Sequence, residues 1–399
     1  MSQGRGLVIG TAGVLAALAV AVVLVTREPA AGVAAGPRAL TVAGVLGASD
    51  GGADGFARAL EPRPFHFPED YGPHPDFRAE WWYWTGNLET ADGRAFGYQF
   101  TLFRSALTAQ APARGSAWGS RQVFMGHFTL TDVRAGRFHA AERFSRAAVG
   151  LAGATATPFH VWLQDWEVRG ASDMEPWPMY LRAQADGVAL ALTLEPGKPA
   201  VAQGDRGLSQ KGPEQGNASY YYSFPRMPSR GTVTVGSESF AVTGDSWMDR
   251  EWSTSALGAG QVGWDWFSLQ LSDGSELMEY QLRREDGTAD PYSAGLWIPP
   301  TGEPVRLTRE DVKLEVLDTW RSPRGATYPS RWRVQVPKRR LDLTVTPRLA
   351  DQELVLSFRY WEGAVSLEGT REGQPVKGRG YVELTGYADA RVPGDTASR

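Results

Sequence analysis

The stretch from Trp82 to Gln99, WYWTGNLETADGRAFGYQ, decides the fold, because residues 264–281 repeat its outline 182 residues later. In both stretches Trp-x-Trp leads to Tyr-Gln, with an Asp-Gly pair between them at Asp92-Gly93 and at Asp273-Gly274. Asp-Gly tolerates positive φ in a tight turn and the flanking residues alternate, so each stretch predicts a β-hairpin. A repeat at this distance is too long for a solenoid and predicts two related domains.

Composition indicates many short strands. The 399 residues include 15 Trp, 16 Phe and 13 Tyr beside 46 Gly and 26 Pro, a mixture that favours strands joined by tight turns. A net charge of −4 provides no electrostatic footprint for nucleic acid, so no nucleic-acid partner is expected. The chain has no cysteine and therefore folds without disulfides.

The N-terminus predicts export. Leu7 to Val25 carry no charge and follow Arg5, and at ~1.5 Å per residue this run just spans a ~30 Å hydrocarbon core. We therefore interpret residues 1–35 as a signal peptide or an uncleaved signal anchor, and residues 36–60, rich in Ala and Gly, as a linker. The expected location is periplasmic or secreted, with anchorage in the cytoplasmic membrane by residues 7–25 if the segment is retained.

Strand-like alternation begins at Glu80 and recurs to about Tyr387, with Gly and Pro turns between the strands. This pattern predicts sandwiches or barrels. We place an N-terminal domain at residues 61–242 and a C-terminal domain at residues 243–390.

Aromatic side chains occur on both faces of the first predicted strand. In an extended chain Trp81 and Tyr83 share one face, and Trp82 and Trp84 share the other. Either one face is core and the other packs against the sister domain, or one of these pairs lines a ligand cavity. A cavity lined by Trp suits a small apolar ligand better than a phosphate.

The segment Gly244–Trp252, GDSWMDREW, is the richest in chemistry. If extended, it divides its side chains between two faces: Asp245, Trp247, Asp249 and Glu251 on one, and Met248, Arg250 and Trp252 on the other. One interpretation is an ion-paired brace at the domain junction, in which Arg250 bridges carboxylates. The other is a carboxyl kept protonated beside Trp surfaces that acts as a general acid.

Asp265 is a second candidate acid. On a strand it shares a face with the apolar row from Phe267 to Leu271, where burial would raise the pKa of its carboxyl unless a cation pairs with it. Arg250 or Arg283 could be that cation, and the group would then be structural. The sequence leaves both alternatives open.

Other motifs fail on context. The G-x-G-x-x-G at residues 258–263 follows a loop and leads into a strand, whereas dinucleotide binding needs a strand before it and a helix after it. No G-x-S-x-G is present, and the five histidines lack metal-ligand spacing, so neither serine hydrolysis nor a metal site is predicted.

Several blocks resemble the signature of the AttH/CrtC-type lipocalin-like family. They are EWWYWTGNL at 80–88, FGYQFTLFR at 96–104, DREW at 249–252, GWDWF at 263–267, YWEGAV at 360–365 and GYVELTGY at 380–387. The resemblance covers about residues 60–390 and implies an all-β fold: two lipocalin-like antiparallel β-barrel domains, here after an N-terminal apolar helix.

The resemblance also implies several functions. One branch of the family comprises carotenoid 1,2-hydratases (hydroxyneurosporene synthases), which add water to a terminal alkene without a cofactor. Their pattern is approximately His-Asp-x-Asn-Trp where this chain has Met248-Asp249-Arg250-Glu251-Trp252, so Asp249 and Trp252 match and the His and Asn do not. Exported AttH-like proteins, often labelled secreted hydrolases and associated with ABC-type exporters, are more similar to this chain.

We therefore predict an exported protein that binds an apolar or isoprenoid-like small molecule, and hypothesise a cofactor-free, acid-catalysed hydratase. The candidate catalytic residues are Asp249, Asp265, Glu251 and Tyr280. The candidate ligand-binding residues are Trp81, Trp82, Trp84, Tyr98, Gln99, Arg250, Trp252, Trp264 and Trp266. The alternatives are a non-catalytic periplasmic lipid or lipoprotein carrier that works with an ABC-type exporter, and a hydrolase, for which no nucleophile–base pair is visible.

Overall fold

The computed structural model describes residues 55–110, 119–173, 175–255 and 257–388, and the account below concerns these residues. The first sheet consists of β1 (Ala79–Glu89), β2 (Ala95–Ala106), β3 (Gln122–Asp132), β4 (Arg137–Arg146), β5 (Ala152–Thr155), β6 (His160–Leu163), β7 (Trp166–Arg169), β8 (Met179–Ala185), β9 (Val188–Leu194), β10 (Val201–Ala202), β11 (Leu208–Gln210), β12 (Ala218–Val235) and β13 (Glu238–Ser253).

The second sheet consists of β14 (Gln261–Leu271), β15 (Glu276–Arg284), β16 (Ala294–Ile298), β17 (Val305–Thr308), β18 (Lys313–Arg321), β19 (Thr327–Val336), β20 (Leu341–Pro347), β21 (Glu353–Val355), β22 (Arg359–Arg371) and β23 (Gln374–Leu384). Short 3₁₀ helices lie at Glu69–Tyr71, Arg309–Asp311 and Pro337–Arg339. In the described part of the chain, no helix is long and apolar enough to cross a membrane.

Both sheets are antiparallel and share a plan. The first has the order β4-β3-β2-β1-β13-β12-β9-β8-β7-β6-β5, and the second has the order β17-β16-β15-β14-β23-β22-β20-β19-β18. In each, the opening hairpin pairs with the last strand of its own sheet, β1 with β13 and β14 with β23. The predicted all-β fold of two lipocalin-like barrels is confirmed as two curled sheets that form a barrel and a half-barrel.

Each sheet curls around its own apolar core, and further apolar clusters lie between the sheets. Trp82, Trp84 and Trp252 belong to the interior of the first sheet. Tyr83 and Trp247, one residue along the strand from interior neighbours, belong to the cluster that the two sheets share. The alternation of β1 and β13 therefore divides their side chains between two buried environments.

The predicted domain limits need two corrections. The boundary at 242/243 falls inside β13, which stays paired with β1 and β12 up to Ser253, so the chain changes sheets only between β13 and β14. The end of the predicted linker is folded, because the Ala57 amide donates to the Asp76 carbonyl and Ala59 is buried. The predicted signal segment and apolar helix lie outside the described residues.

Both predicted hairpins form, but the two Trp-x-Trp motifs face opposite ways. Trp82 and Trp84 face the interior of the first sheet, whereas Trp266 joins the cluster between the sheets and Trp264 packs against it. Successive residues of a strand face opposite sides, so the second copy of the motif is shifted by one residue relative to the first with respect to the sheet interior.

A buried charge network fixes the loop before β1 to the first sheet. The Glu80 carboxylate accepts hydrogen bonds from Arg104 and Arg250, and all three side chains are fully buried. Arg250 also donates to the Gly72 carbonyl at 2.6 Å and lies over the Trp82 ring at 4.0 Å. The prediction that Arg250 bridges carboxylates at the domain junction is therefore wrong. One carboxylate bridges two arginines inside the first sheet.

Replacing Arg250 by Met should lower the free energy of unfolding by about 3–5 kcal/mol, because Glu80 would keep only one of its two buried cations. The matched control is Arg134→Met, which removes the exposed Arg134–Asp92 pair and should cost about 0–1 kcal/mol. Urea unfolding monitored by tryptophan fluorescence measures both. Equal losses in the two variants would contradict a structural role for the buried network.

Candidate functional site

A cavity of about 90 Å³ lies between the two sheets, and a single water needs about 10–15 Å³ of such volume. Its lining comes from β1, β2, β12 and β13 on one side, from β14, β15, β22 and β23 on the other, and from connecting segments next to β11, β13 and β22. The lining side chains are Trp81, Tyr83, Gln99, Thr101, Phe103, Lys211, Tyr221, Asp249, Glu251, Ser255, Leu257, Trp264, Trp266, Tyr280, Leu282, Phe358, Tyr360, Glu362 and Glu383. Aromatic rings and buried carboxyls thus share the surface of one cavity.

On the first-sheet side of the cavity, the carboxyl of Asp249 accepts hydrogen bonds from three side chains. The residue is 4% exposed, and the donors are the Tyr221 hydroxyl (2.5 Å), the Ser223 hydroxyl (2.5 Å) and the Trp247 indole N–H (2.6 Å). Burial raises the pKa of Asp249 to about 7, although these three donors favour the ionised form. The carboxyl can therefore hold or release a proton near neutral pH.

Glu251, two residues further along β13, is bound differently. Its carboxylate lies 3.3 Å from the Lys211 ammonium and accepts a hydrogen bond from the Ser219 hydroxyl. The Lys211 ammonium also lies 4.1 Å from the centre of the Tyr280 ring. Glu251 thus forms an ion pair with Lys211, whereas Asp249 has hydrogen-bond donors but no ion-pair partner among the described residues.

The second-sheet wall presents a carboxyl pair. Glu362 on β22 and Glu383 on β23 are direct cross-strand neighbours. Tyr83 donates to Glu362 at 2.5 Å and the Trp264 indole N–H donates to Glu383 at 3.0 Å. Burial together with the nearby carboxylates raises the pKa of Glu383 to about 8, and burial beside Glu383 raises the pKa of Glu362 well above its ordinary value.

These carboxyls outnumber the cations. Among the side chains that the structure shows lining the cavity, Lys211 is the one cation, and it faces four carboxyls. Like charges in a desolvated site cannot all ionise, so protons remain in the cavity at neutral pH. No group of three or more metal-ligating side chains occurs in the described part of the chain. The arrangement suits proton transfer to a bound molecule.

Comparison with known proteins identifies the architecture. A family model described as AttH-like matches residues 58–387. The chain belongs to the AttH-like family. A crystal structure of an AttH protein from Nitrosomonas europaea shares 36% identity and a TM-score of 0.74, covering 83% of this chain and all of the other. The predicted resemblance to the AttH family is confirmed.

A hydratase is among the relatives of this AttH-like chain. Kievitone hydratase of Fusarium solani subsp. phaseoli is 24% identical over 210 residues, which cover 51% of this chain and 58% of that protein. The crystal structure of kievitone hydratase from Nectria haematococca has a TM-score of 0.62 at 17% identity, covering 84% of this chain and 99% of the other. The sequence match spans little more than half of the hydratase, and the structural match at this identity shows the fold.

The structure brings seven of the predicted site residues to the cavity: Trp81, Gln99, Asp249, Glu251, Trp264, Trp266 and Tyr280. It places five others in the core of the first sheet or its charge network: Trp82, Trp84, Tyr98, Arg250 and Trp252. Their prediction as ligand-binding residues is corrected, because each lies one residue out of phase with the cavity face of its strand.

Asp265 also lies outside the cavity lining. Its carboxylate accepts hydrogen bonds from Arg283 and from the Tyr387 hydroxyl, both at 2.9 Å, on the same strand face as the interior residue Phe267. Burial still raises the pKa of Asp265 above its ordinary value. Of the two alternatives, the structure shows the pairing with Arg283, so the candidate role of Asp265 as the acid is corrected.

Sequence reasoning missed Glu362 and Glu383. Each alternates with apolar residues along its strand, the same signal that singled out Asp265. Their significance depends on each other and on Tyr83 and Trp264, which are distant in sequence. A search for single carboxyls in apolar rows would have found both residues, although not their proximity.

Replacing Glu383 by Gln should stabilise the protein increasingly as the pH rises from about 5 to about 8. The folded pKa of about 8 lies above the usual unfolded value near 4.3. Across this window the carboxyl is ionised in the unfolded chain and protonated in the folded protein, so native stability falls as the pH rises. The gain grows by at most about 1.4 kcal/mol per pH unit, because removing Glu383 removes a difference of one bound proton between the folded and unfolded states. Urea unfolding at several pH values measures it.

The matched control for that experiment is Glu353→Gln. Glu353 is also buried, but hydrogen bonds from Ser322, Arg359 and Tyr328 outweigh burial and lower its pKa. This variant should lose stability at neutral pH. A pH-independent effect of Glu383→Gln would show that Glu383 is ionised in the native cavity.

Proposed function

We propose that this protein is a cofactor-free hydratase that adds water across a carbon–carbon double bond of an apolar or isoprenoid-like small molecule. The observation that carries the proposal is Asp249, a buried carboxyl with a pKa raised to about 7 in a cavity whose lining includes three tryptophans. The distant relation to kievitone hydratase supports the same reaction class.

Protonated Asp249 is the proton donor. The π electrons of the alkene form the new C–H bond with the Asp249 proton, and the carboxylate takes the electron pair of its O–H bond. The hydroxyls of Tyr221 and Ser223 and the indole of Trp247 then donate to an ionised carboxylate, which their geometry already favours. A pKa near the working pH suits a general acid, because the group is both protonated and ready to lose its proton.

Aromatic faces stabilise the cation that protonation creates. Trp81, Trp264 and Trp266 line the cavity, and attraction between a cation and an aromatic face contributes about 0.5–2 kcal/mol for each ring. A trisubstituted alkene suits such a site, since its protonation gives a tertiary cation. The carboxylate that Asp249 becomes when it gives up its proton adds electrostatic stabilisation in surroundings of low polarity.

Water completes the reaction by forming a C–O bond with the cation and losing one proton. Glu251 and Tyr280, the sequence-based candidates for directing this water, both line the cavity. Each already has a partner, Lys211 and Ser219 for Glu251 and the Ser209 hydroxyl at 3.0 Å for Tyr280. Glu251 and Tyr280 therefore form part of the cavity wall. The proton lost by the water returns to the Asp249 carboxylate and completes the cycle.

The predicted export of the chain belongs to the same proposal. A protein exported by residues 7–25 would meet its ligand in the periplasm or outside the cell. In the alternative, a carrier that works with an ABC-type exporter, the cavity would bind a ligand and Asp249 would have no chemical role.

Asp249→Asn should lower kcat/KM for hydration about 10²–10⁴-fold and leave ligand affinity within a few-fold, because amide and carboxyl have the same shape. The probes are kievitone and phenols that carry a branched five-carbon alkenyl group, assayed by mass spectrometry for the gain of one water. Isothermal titration of the same probes measures affinity.

Two buried carboxyls outside the cavity lining serve as matched controls. Asp265→Asn and Glu279→Gln should keep native turnover, since neither residue lines the cavity. Turnover that survives in Asp249→Asn would remove Asp249 from the mechanism. Tight binding of the probes by the native protein without hydration would favour the carrier and overturn the hydratase.

The rate of hydration should fall as the pH rises above about 7, since Asp249 must carry a proton at the start of the reaction. The charged and titratable groups that interact electrostatically with it are Tyr221 on β12, Glu251 on its own strand, Lys211 just after β11 and Glu383 on the facing sheet. In a plot of log(kcat/KM) against pH from 5.5 to 9, the descending limb should approach a slope of −1. A rate that increases across this range would require Asp249 to act as the base.

A further inference from the structure

A row of polar side chains crosses the first sheet on the face that meets the second sheet. Its members are direct cross-strand neighbours on six successive strands: Ser223, Asp249, Tyr83, Thr101, His127 and Glu142. The row begins beside the proposed acid and ends at Glu142, whose side chain is 13% exposed. It therefore connects the cavity with the rim of the sheet.

His127 links a cavity residue to this rim. One ring nitrogen, Nδ1, lies 2.7 Å from the hydroxyl of Tyr360, which lines the cavity, and the other, Nε2, lies 3.0 Å from Glu142. The imidazole is fully buried and contacts the rings of Phe103 and Phe358. Burial excludes water from both nitrogens, so Tyr360 and Glu142 are the hydrogen-bond partners of the ring.

The proton positions follow from the acid–base properties of the three groups. Burial lowers the pKa of His127, which keeps the imidazole neutral. Burial alone would raise the pKa of Glu142, but hydrogen bonds from His127 and from Ser357 lower it, so Glu142 is a carboxylate and accepts from Nε2–H. Nδ1 is then unprotonated and accepts the hydroxyl proton of Tyr360.

We propose that Tyr360, with His127 and Glu142 behind it, is the general base that takes the proton from the attacking water. This inference rests on the proposed hydratase function and supplies the proton acceptor that the function requires. When water bonds to the cation, its O–H bond breaks and the proton passes to the Tyr360 oxygen, while the tyrosine proton moves to Nδ1 of His127. The Glu142 carboxylate stabilises the resulting imidazolium.

The cycle closes without a net change in protons. The imidazolium returns its Nδ1 proton to Tyr360, whose hydroxyl proton passes through the cavity to the Asp249 carboxylate. Tyr360 touches the reacting water and is the proposed catalytic residue. His127 and Glu142 act through it as positioning residues.

The test is Glu142→Gln, which preserves shape but allows the amide to donate to Nε2. His127 then carries its proton on Nδ1, donates to Tyr360 and can no longer accept from it. We expect kcat to fall about 10²–10⁴-fold, because His127 in the wrong tautomer can no longer accept the proton of Tyr360 and the general base is lost. The affinity for kievitone or the alkenyl phenols should be unchanged. Nitrogen NMR of labelled histidine should show the tautomer of His127 reversed.

Glu167→Gln is the matched control. Glu167 lies 2.9 Å from His160 in a similar pair on the first sheet, but neither residue lines the cavity. This variant should keep native kcat. Tyr360→Phe, which keeps the ring between the sheets, should lose kcat to the same extent as Glu142→Gln and serves as the test if that variant does not fold.

The outcomes separate this inference from the proposed function. Loss of kcat in Asp249→Asn with native kcat in Glu142→Gln and Tyr360→Phe would overturn the base and leave the hydratase intact. If Glu142→Gln and Tyr360→Phe both lowered thermal stability and ligand affinity while the folded protein kept native kcat, the three residues would have a structural role in holding the two sheets together. Absence of hydration by the native protein would overturn both proposals.

Discussion

The alternation of side chains along β1 and β13 is the constraint on which the rest of the structure depends. These paired strands are buried on both faces, one against the core of the first sheet and the other against the second sheet. A shift of one residue would move Asp249 into the core and Arg250 into the cavity. The Glu80–Arg250 ion pair resists such a shift, because Arg250 would lose its carboxylate and Glu80 would lose one of its two buried cations.

The buried carboxyls include two kinds, those paired with cations that stabilise the fold and those without a cation that line the cavity. Glu80 is surrounded by two arginines, and these cations hold its pKa well below the ordinary value although burial opposes this. Glu362 is equally buried, but it receives one hydrogen bond, from Tyr83, and its second oxygen has no hydrogen-bond partner among the described residues. A charge without a cation costs free energy of folding, and such a cost is expected where a proton has to be held or moved.

The sequence was sufficient for the elements of the fold and for part of the cavity. Two hairpins with Asp-Gly turns and the division of faces around Asp249 follow from short-range alternation, and both are present. The choice between cavity and core for Trp82 could not follow from it, because both faces of that strand are aromatic and buried. Nor could the links from Tyr83 to Glu362 and from His127 to Tyr360, whose partners lie more than 200 residues apart.

The cavity has an approximate internal symmetry that the repeated motif only partly indicates. Judged by facing, Tyr83 corresponds to Trp266, and the residue paired with each on the closing strand is a carboxyl: Asp249 on β13 and Glu383 on β23. The next strand distinguishes them, because the neighbour of Asp249 is Ser223, which donates to it, whereas the neighbour of Glu383 is Glu362, which repels it. Burial raises the pKa of both corresponding carboxyls, but the Ser223 hydroxyl favours an ionised Asp249, whereas Glu383 and Glu362 disfavour each other's ionisation.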